Sequence, residues 1–192
     1  ALKELEVAGR RAATQLQAVT TPPAGAARRR RGLDVPAELS KFADLASSFL
    51  EQQNVTFEVV APEGSVLRTE MRPELFAAVF SALVSNSIDW STPGRANQVT
   101  ATCRLDGDFV EVSYQDTGRG VTAGLEDKIF EPMVTGRDAA GMGLTVARTI
   151  IESHGGSIEL LTDRRRRGAT FRIRLPRKKA RATTPISASR SP

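Results

Sequence analysis

The chain has 192 residues, enough for one domain with short appendages and a sizeable core. Apolar residues at 40% and charged residues at 26% exclude wholesale disorder, and one Cys with one His excludes a disulfide framework or a Cys/His zinc site. A net charge of +5 hides an asymmetry, with eleven Lys/Arg and no Asp/Glu after Asp163, seven basic against two acidic residues in 1–32, and nine against twenty between. This reads as an acidic domain with basic ends, not as a specific nucleic-acid binder. No apolar run approaches the roughly 18 residues of a membrane span, so no membrane contact by this segment is expected. The first residue is Ala1 and no charged-then-apolar leader follows, which reads as a piece of a longer or processed chain.

In chain order, residues 2–19 place Leu2, Leu5, Leu16 and Val19 among alanines at helical spacing, a stripe too narrow to stand alone. Pro22 and Pro23 stop that helix, and the chain to Gly32 reads as a linker. Pro36–Gln52 predicts a second helix with Leu39, Phe42, Ala43, Leu45, Ala46, Phe49 and Leu50 on one side. Val55–Pro62 alternates like a strand, and Pro73–Trp90 is helical around Leu75, Phe76, Val79, Phe80, Leu83 and Ile88. Strands at Gln98–Leu105 and Asp108–Asp116 meet through the turn dipeptide Asp106-Gly107. Gly141–His154 is a further amphipathic helix closed by Gly155-Gly156, and SIELLT with GATFRIRLP forms a last antiparallel pair. About three helices on one face of a mixed, mostly antiparallel sheet of about five strands make an α+β, two-layer α/β sandwich.

Four segments carry chemistry. DTGRG (Asp116–Gly120) follows a strand directly: its glycines let backbone approach a flat ligand, and its carboxylate can accept from an exocyclic amino group. GMGL (Gly141–Leu144) opens a helix whose free N–H groups suit a phosphate. SALVSNSIDWS (Ser81–Ser91) carries Asn86 on a helix, and KIFEPMVTGR (Lys128–Arg137) links the two glycine turns.

The order and spacing of these segments resemble the ATP-binding catalytic domain of sensor histidine kinases, in the gyrase, Hsp90, histidine kinase and MutL ATPase superfamily. The resemblance covers about residues 33–176 and implies the Bergerat ATP-binding fold. It implies ATP and Mg²⁺ as cofactors, with Asn86 ligating the metal. Asp116 matches the reader of the adenine amino group, Gly118 and Gly120 its turn, and Val121 a wall of the base site. Ile129, Phe130 and Pro132 resemble the hinge of the ATP lid, and Arg137 takes the place of a phosphate-directed Lys. With Asn86, Arg137 is the expected catalytic pair. Gly141, Met142, Gly143 and Leu144 match the second glycine box, Thr170 a threonine beside the adenine, and Trp90 an aromatic against it.

The resemblance further implies that residues 1–20 end a dimerisation hairpin, while composition makes 21–32 a linker and 177–192, without apolar periodicity, a basic disordered tail. It implies phosphoryl transfer to a His on a helix outside this segment, a homodimer through the upstream hairpin, a response regulator as partner, and a cytoplasmic or equivalent ATP-containing compartment. His154 sits at a helix end, where a histidine caps carbonyls, and is not the expected acceptor. One position departs from the pattern: four residues before Asn86, related kinases carry Asn and gyrase-type ATPases Glu, whereas this chain has Ala82. That leaves a second reading open, a degenerate nucleotide-binding scaffold that docks a partner protein.

Overall fold

The computed structural model describes residues 32–131, 142–162 and 167–178. The expected helix at 2–19, its linker, Pro132, Arg137, Gly141 and the tail beyond Lys178 lie outside the described residues. Among the described residues no helix is long and apolar enough to cross a membrane.

Leu33–Asp34 (β1) leads straight into helix α1, Val35–Gln52. Pro36 in the first turn suits the entry, because a first-turn N–H has no intrahelical acceptor to lose. Val35, Leu39, Ala46 and Leu50 are buried, but Leu45 is 80% exposed. The expectation that Leu45 joins the apolar side is thus overturned. At about 100° per residue it lies a quarter-turn from Ala46, off the edge of the buried stripe. Asn54 closes the helix in the left-handed conformation at φ 55° and leads into β2, Val55–Val60.

A short β3, Arg68–Thr69, pairs antiparallel with β1. The sequence pattern gives no sign of this two-stranded ribbon, since two residues carry no period. Helix α2, Pro73–Asp89, then runs beneath the sheet, burying Phe76, Val79, Phe80, Leu83, Val84 and Ser87. Strands β4 (Asn97–Asp106) and β5 (Phe109–Asp116) form a hairpin. Asp106 faces Phe109, so Gly107-Asp108 is the two-residue loop, one position on from the expected dipeptide. Helix α3, Gly143–Ser153, precedes the final pair β6 (Ser157–Leu161) and β7 (Thr170–Pro176).

The main sheet has the order β2-β4-β5-β7-β6, with β2 parallel to β4 and every other pair antiparallel. Its core-facing side is filled by Val99, Ala101, Cys103, Val110, Val112, Tyr114, Phe171, Ile173 and Leu175, each at most 1% exposed. The alternate positions make cross-strand ion pairs instead: Arg104 with Glu111, Arg174 with Asp106, and Arg172 with Glu159. One apolar and one polar face make this a two-layer α+β sandwich. The chain stays paired for two residues past Pro176, because the N–H groups of Arg177 and Lys178 donate to Asp108 and Arg68 carbonyls.

Candidate functional site

The carboxyl end of β5, the last turn of α2 and the first turn of α3 converge on a partly open cavity. Eleven residues line it, among them Asn86, Trp90, Asp116, Gly120, Val121, Ile129 and Leu144 from the expected set. The lining is mostly apolar, with few polar groups, as in sites that hold a flat organic ring.

Asp116 is the most constrained of these, at 3% exposure. Its Oδ1 accepts the N–H of Gly118 at 2.9 Å and that of Ala169 at 3.1 Å. Its Oδ2 accepts the hydroxyl of Ser87 at 3.1 Å. Its own N–H donates to the Ala169 carbonyl at 3.0 Å, which locks the strand end to the start of β7. A charge buried to this degree needs such donors to replace water.

The backbone around it is equally tight. Gly168 has φ +85°, and a side chain there would land on the Asp116 carbonyl and 2.8 Å from Oδ1. A Cβ on Gly118 would come 2.8 Å from the Trp90 carbonyl oxygen, which also accepts the Arg119 N–H at 2.9 Å. The DTGRG turn is thereby strapped to the end of α2, where the Arg119 guanidinium sits 5.7 Å over the Trp90 ring. Asn97, 2% exposed, completes the fastening. Its Nδ2 donates to the Ser87 carbonyl at 2.8 Å, and its Oδ1 accepts both the N–H and the hydroxyl of Thr117, each at 3.0 Å.

The other expected residues fall around this centre. Phe130 is buried behind the cavity with its ring 6.2 Å from Phe171. Arg148 lies 5.1 Å over that ring and the Thr145 hydroxyl donates to the Phe130 carbonyl at 2.9 Å, so α3 grips this segment from one side. Gly143 begins α3 and faces Ala82 on α2, while Met142 is 60% exposed. Met142, at the N-cap position, makes no side-chain cap, and the first-turn N–H groups of a helix have no intrahelical acceptor. Asn86 is half-buried in the wall and has no side-chain hydrogen bond to the described residues. Thr170 stands in register with Gln115, and the cavity is lined by the residues on either side of it, Ala169 and Phe171.

Sequence reasoning missed Ser87, Asn97, Thr122, Leu125, Ala169 and Phe171. Only GATF carried any signal, and it pointed to Thr170. Outside the cavity, His154 Nδ1 donates to the Ile150 carbonyl at 2.7 Å, the capping role expected of it. Cys103 is buried in β4, and burial, with the nearby Asp34 charge second, pushes its thiol up to about 12. It is therefore a packing residue at neutral pH.

A sandwich with a carboxylate and glycine turn at one strand end, facing a helical asparagine and a glycine-led helix, defines a nucleotide-binding domain. Residues 71–179, more than half the chain, match the family described as histidine kinase-, DNA gyrase B-, and HSP90-like ATPase, and the chain belongs to that family. Within it, the similar proteins are sensor kinases. Sensor histidine kinase ZraS of Escherichia coli (strain K12) is 32% identical over 105 residues, 54% of this chain and 22% of ZraS. Sensor protein TdiS of Thauera aromatica is 34% identical over 128 residues, 66% of this chain and 20% of TdiS. The chain thus spans about a fifth of the length of these relatives. Among solved structures, a nucleotide-free catalytic domain of histidine kinase ThkA aligns with TM-score 0.66 at 25% identity, covering 78% of this chain and 98% of that domain. Full-length ShkA in complex with AMPPNP shares the fold, with TM-score 0.66 at 22% identity over 78% of this chain and 31% of ShkA. The chain is accordingly an ATP-binding domain of the histidine kinase type.

Proposed function

We propose that this domain binds ATP with Mg²⁺ and transfers the γ-phosphoryl group to a His on a helix outside this segment, for relay to an Asp of a response regulator. The observation that carries the reading is the state of Asp116. Three donors hold its carboxylate at the cavity wall, which leaves one acceptor position for the amino group of adenine. Val121, Ile129, Leu144 and Trp90 then supply apolar surface for the ring, and Gly118 and Gly120 bring backbone close to it.

The metal fits the residues in one particular way. Among the described residues no group of three His, Cys, Asp or Glu side chains is arranged to hold a cation. The amide oxygen of Asn86, which has no side-chain partner among the described residues, together with waters and phosphate oxygens would suit Mg²⁺, which keeps much of its hydration shell and is commonly held through substrate phosphates. When bound, the ion would neutralise charge on the phosphates. Asn86 would orient it, the amides opening α3 with Gly141, Met142 and Gly143 would take phosphate oxygens, and Arg137 would add a cation. Transfer forms a phosphorus–nitrogen bond to the acceptor imidazole, breaks the bond to the bridging oxygen, and releases ADP. Such chemistry depends on positioning and charge neutralisation more than on a general base.

Water-activated hydrolysis, in contrast, has no base to use at position 82. Glu74 cannot substitute: it lies at the far end of α2, twelve residues or about 18 Å along the axis from Asn86, exposed and paired with Arg72. The relay partner is part of the same proposal, supported by a neighbour's assembly. A structure of ThkA, 23% identical over 77% of this chain, contains its response regulator TrrA. Homodimerisation through an upstream hairpin and a cytoplasmic setting belong to the same proposal.

Ala82 favours a second reading, a scaffold that keeps the nucleotide but not the transfer. Nucleotide titration of the chain with and without Mg²⁺ tests the first requirement of the kinase reading. Submicromolar to micromolar ATP binding that strengthens with Mg²⁺ supports it; no binding in either condition removes it.

A further inference from the structure

Behind Asp116 runs a buried polar chain that the base contact alone does not require. Tyr114 precedes Asp116 by two residues on β5, has no exposed surface, and packs among Phe57, Phe80 and Phe171. An aliphatic side chain would fill such a site without carrying a hydroxyl into the core. That hydroxyl lies 3.0 Å from Ser87 Oγ, and Ser87, also without exposed surface, lies 3.1 Å from Asp116 Oδ2.

Chemistry sets the direction of the chain. A carboxylate only accepts, so the single Ser87 proton goes to Asp116, and Tyr114 must then donate to Ser87. Burial holds the Tyr114 phenol well above its ordinary range, so the donor keeps its proton throughout the neutral region. On Asp116, Oδ1 already serves two backbone N–H groups and Oδ2 serves Ser87. Of roughly four acceptor positions on a carboxylate, one is left.

We propose that Ser87, backed by Tyr114, is a positioning residue for base selectivity: it pins Asp116 Oδ2 so that its one unused lone pair faces the cavity and accepts the 6-amino group of a purine. The proposal rests on reading the cavity as an adenine site and deepens that reading. Without Ser87 the Oδ2 side would be free to turn or to take a water, and the distinction between a base with an amino group and one without it would fade.

Equilibrium titration of the 192-residue chain with ATP and with purine riboside triphosphate, which lacks the 6-amino group, separates the possibilities. The native chain should prefer ATP. In Ser87→Ala that preference should fall about tenfold, the size of one well-placed hydrogen bond, with the loss in ATP affinity and little change for the analogue. Tyr114→Phe should reduce the preference less, because Ser87 keeps its proton for Asp116. Ser87→Ala alone strands the Tyr114 hydroxyl, so the Ser87→Ala/Tyr114→Phe double variant, which removes both hydroxyls, carries the test if the single variant is unstable. Equal loss for both nucleotides makes Ser87 a structural residue only and overturns the proposal. An unchanged ratio overturns it too. A native chain with no preference for ATP overturns the adenine reading itself, and the proposal with it.

Discussion

The two ends of the cavity are built on opposite plans. At the Asp116 end the polar groups are held by several partners at once and a single acceptor position of the carboxylate is left: three donors sit on Asp116, Asn97 ties Ser87 to Thr117, and glycine backbones press against neighbouring carbonyls. At the α3 end, apart from the grip of Thr145 and Arg148 on Phe130, the described groups are less engaged: Asn86 has no side-chain partner among the described residues, Met142 makes no side-chain cap and is exposed, and Ala82 carries no polar atom. Under the proposed function, the difference marks where recognition is preorganised. A base must meet a fixed acceptor, whereas phosphates and their cation bring charge and ligands of their own and need only open groups to meet them.

The comparison breaks most sharply at Asp116. In Asp116→Asn one oxygen can still accept the Gly118 and Ala169 N–H groups, but an amide NH₂ replaces the other. The Ser87–Tyr114 chain must reverse, and the adenine amino group then meets a donor. ATP affinity should fall by about a hundredfold or more, the loss of a charge-assisted hydrogen bond plus a donor–donor conflict. A titration in which the dissociation constant is unchanged would remove Asp116 from the site.

Gly168→Ala tests the same end through backbone. The new Cβ would strike the Asp116 carbonyl at a φ of +85°, so the start of β7 must shift. A cost of about 3 kcal/mol or more follows from overpacking added to left-handed strain. Gly94 is the control, since its φ is +72° but nothing lies within 4 Å of its Cβ position. Gly94→Ala should therefore cost only about 1–2 kcal/mol. Equal thermal midpoints for the two variants would mean that the close approach at Gly168 is not tight in solution.

Much of this architecture can be read from the chain beforehand, and the reason is periodicity. Helices α1, α2 and α3 and the long strands repeat apolar residues often enough to set their limits within two residues. Asp116, Asn86 and the glycines are ordinary helix and turn residues taken singly, and stand out only through the order and spacing of their segments, which resemble a known family. What stays hidden has no period or acts through atoms that every residue owns. Ala169 reaches Asp116 with its N–H, so its side chain says nothing. Ser87 and Asn97 are single small polar residues inside otherwise ordinary elements, and their partners lie 29 and 20 positions away, at Asp116 and Thr117. Leu45 shows the converse error: a helix can carry a leucine beyond the edge of its buried stripe.

At the open end, Asn86→Ala should leave the fold intact, because the side chain holds no other described group. ATP binding should weaken about tenfold when Mg²⁺ is present and by less than about twofold in EDTA, since the amide oxygen is assigned to the metal. Equal losses in both conditions would place Asn86 among the structural residues and leave the metal to other groups.

The smallest expected effect is also the one that decides between kinase and scaffold. Ala82 and Asn86 are one helical turn apart, so their side chains share a face with roughly 5–6 Å between Cβ atoms. Ala82 also faces Gly143, where a Cβ would lie 3.6 Å from its own. A side chain added at 82 therefore points at the start of α3, on the same side as Asn86. In a longer chain carrying the acceptor helix, Ala82→Asn should raise phosphoryl transfer at saturating ATP by about threefold, a modest electrostatic gain where charge moves in the transition state. Affinity for adenosine should barely change, because the new amide is remote from Asp116. The competing outcome is burial of an amide without a partner, at about 1–3 kcal/mol. The free N–H groups of α3 lessen that cost, since the new oxygen can accept from one of them as a cap would. Thermal midpoint reports the burial and phosphorylation rate reports the gain, so the two are read separately. A stable variant that binds ATP and transfers no phosphate, in a chain whose native form transfers none either, leaves the scaffold reading standing.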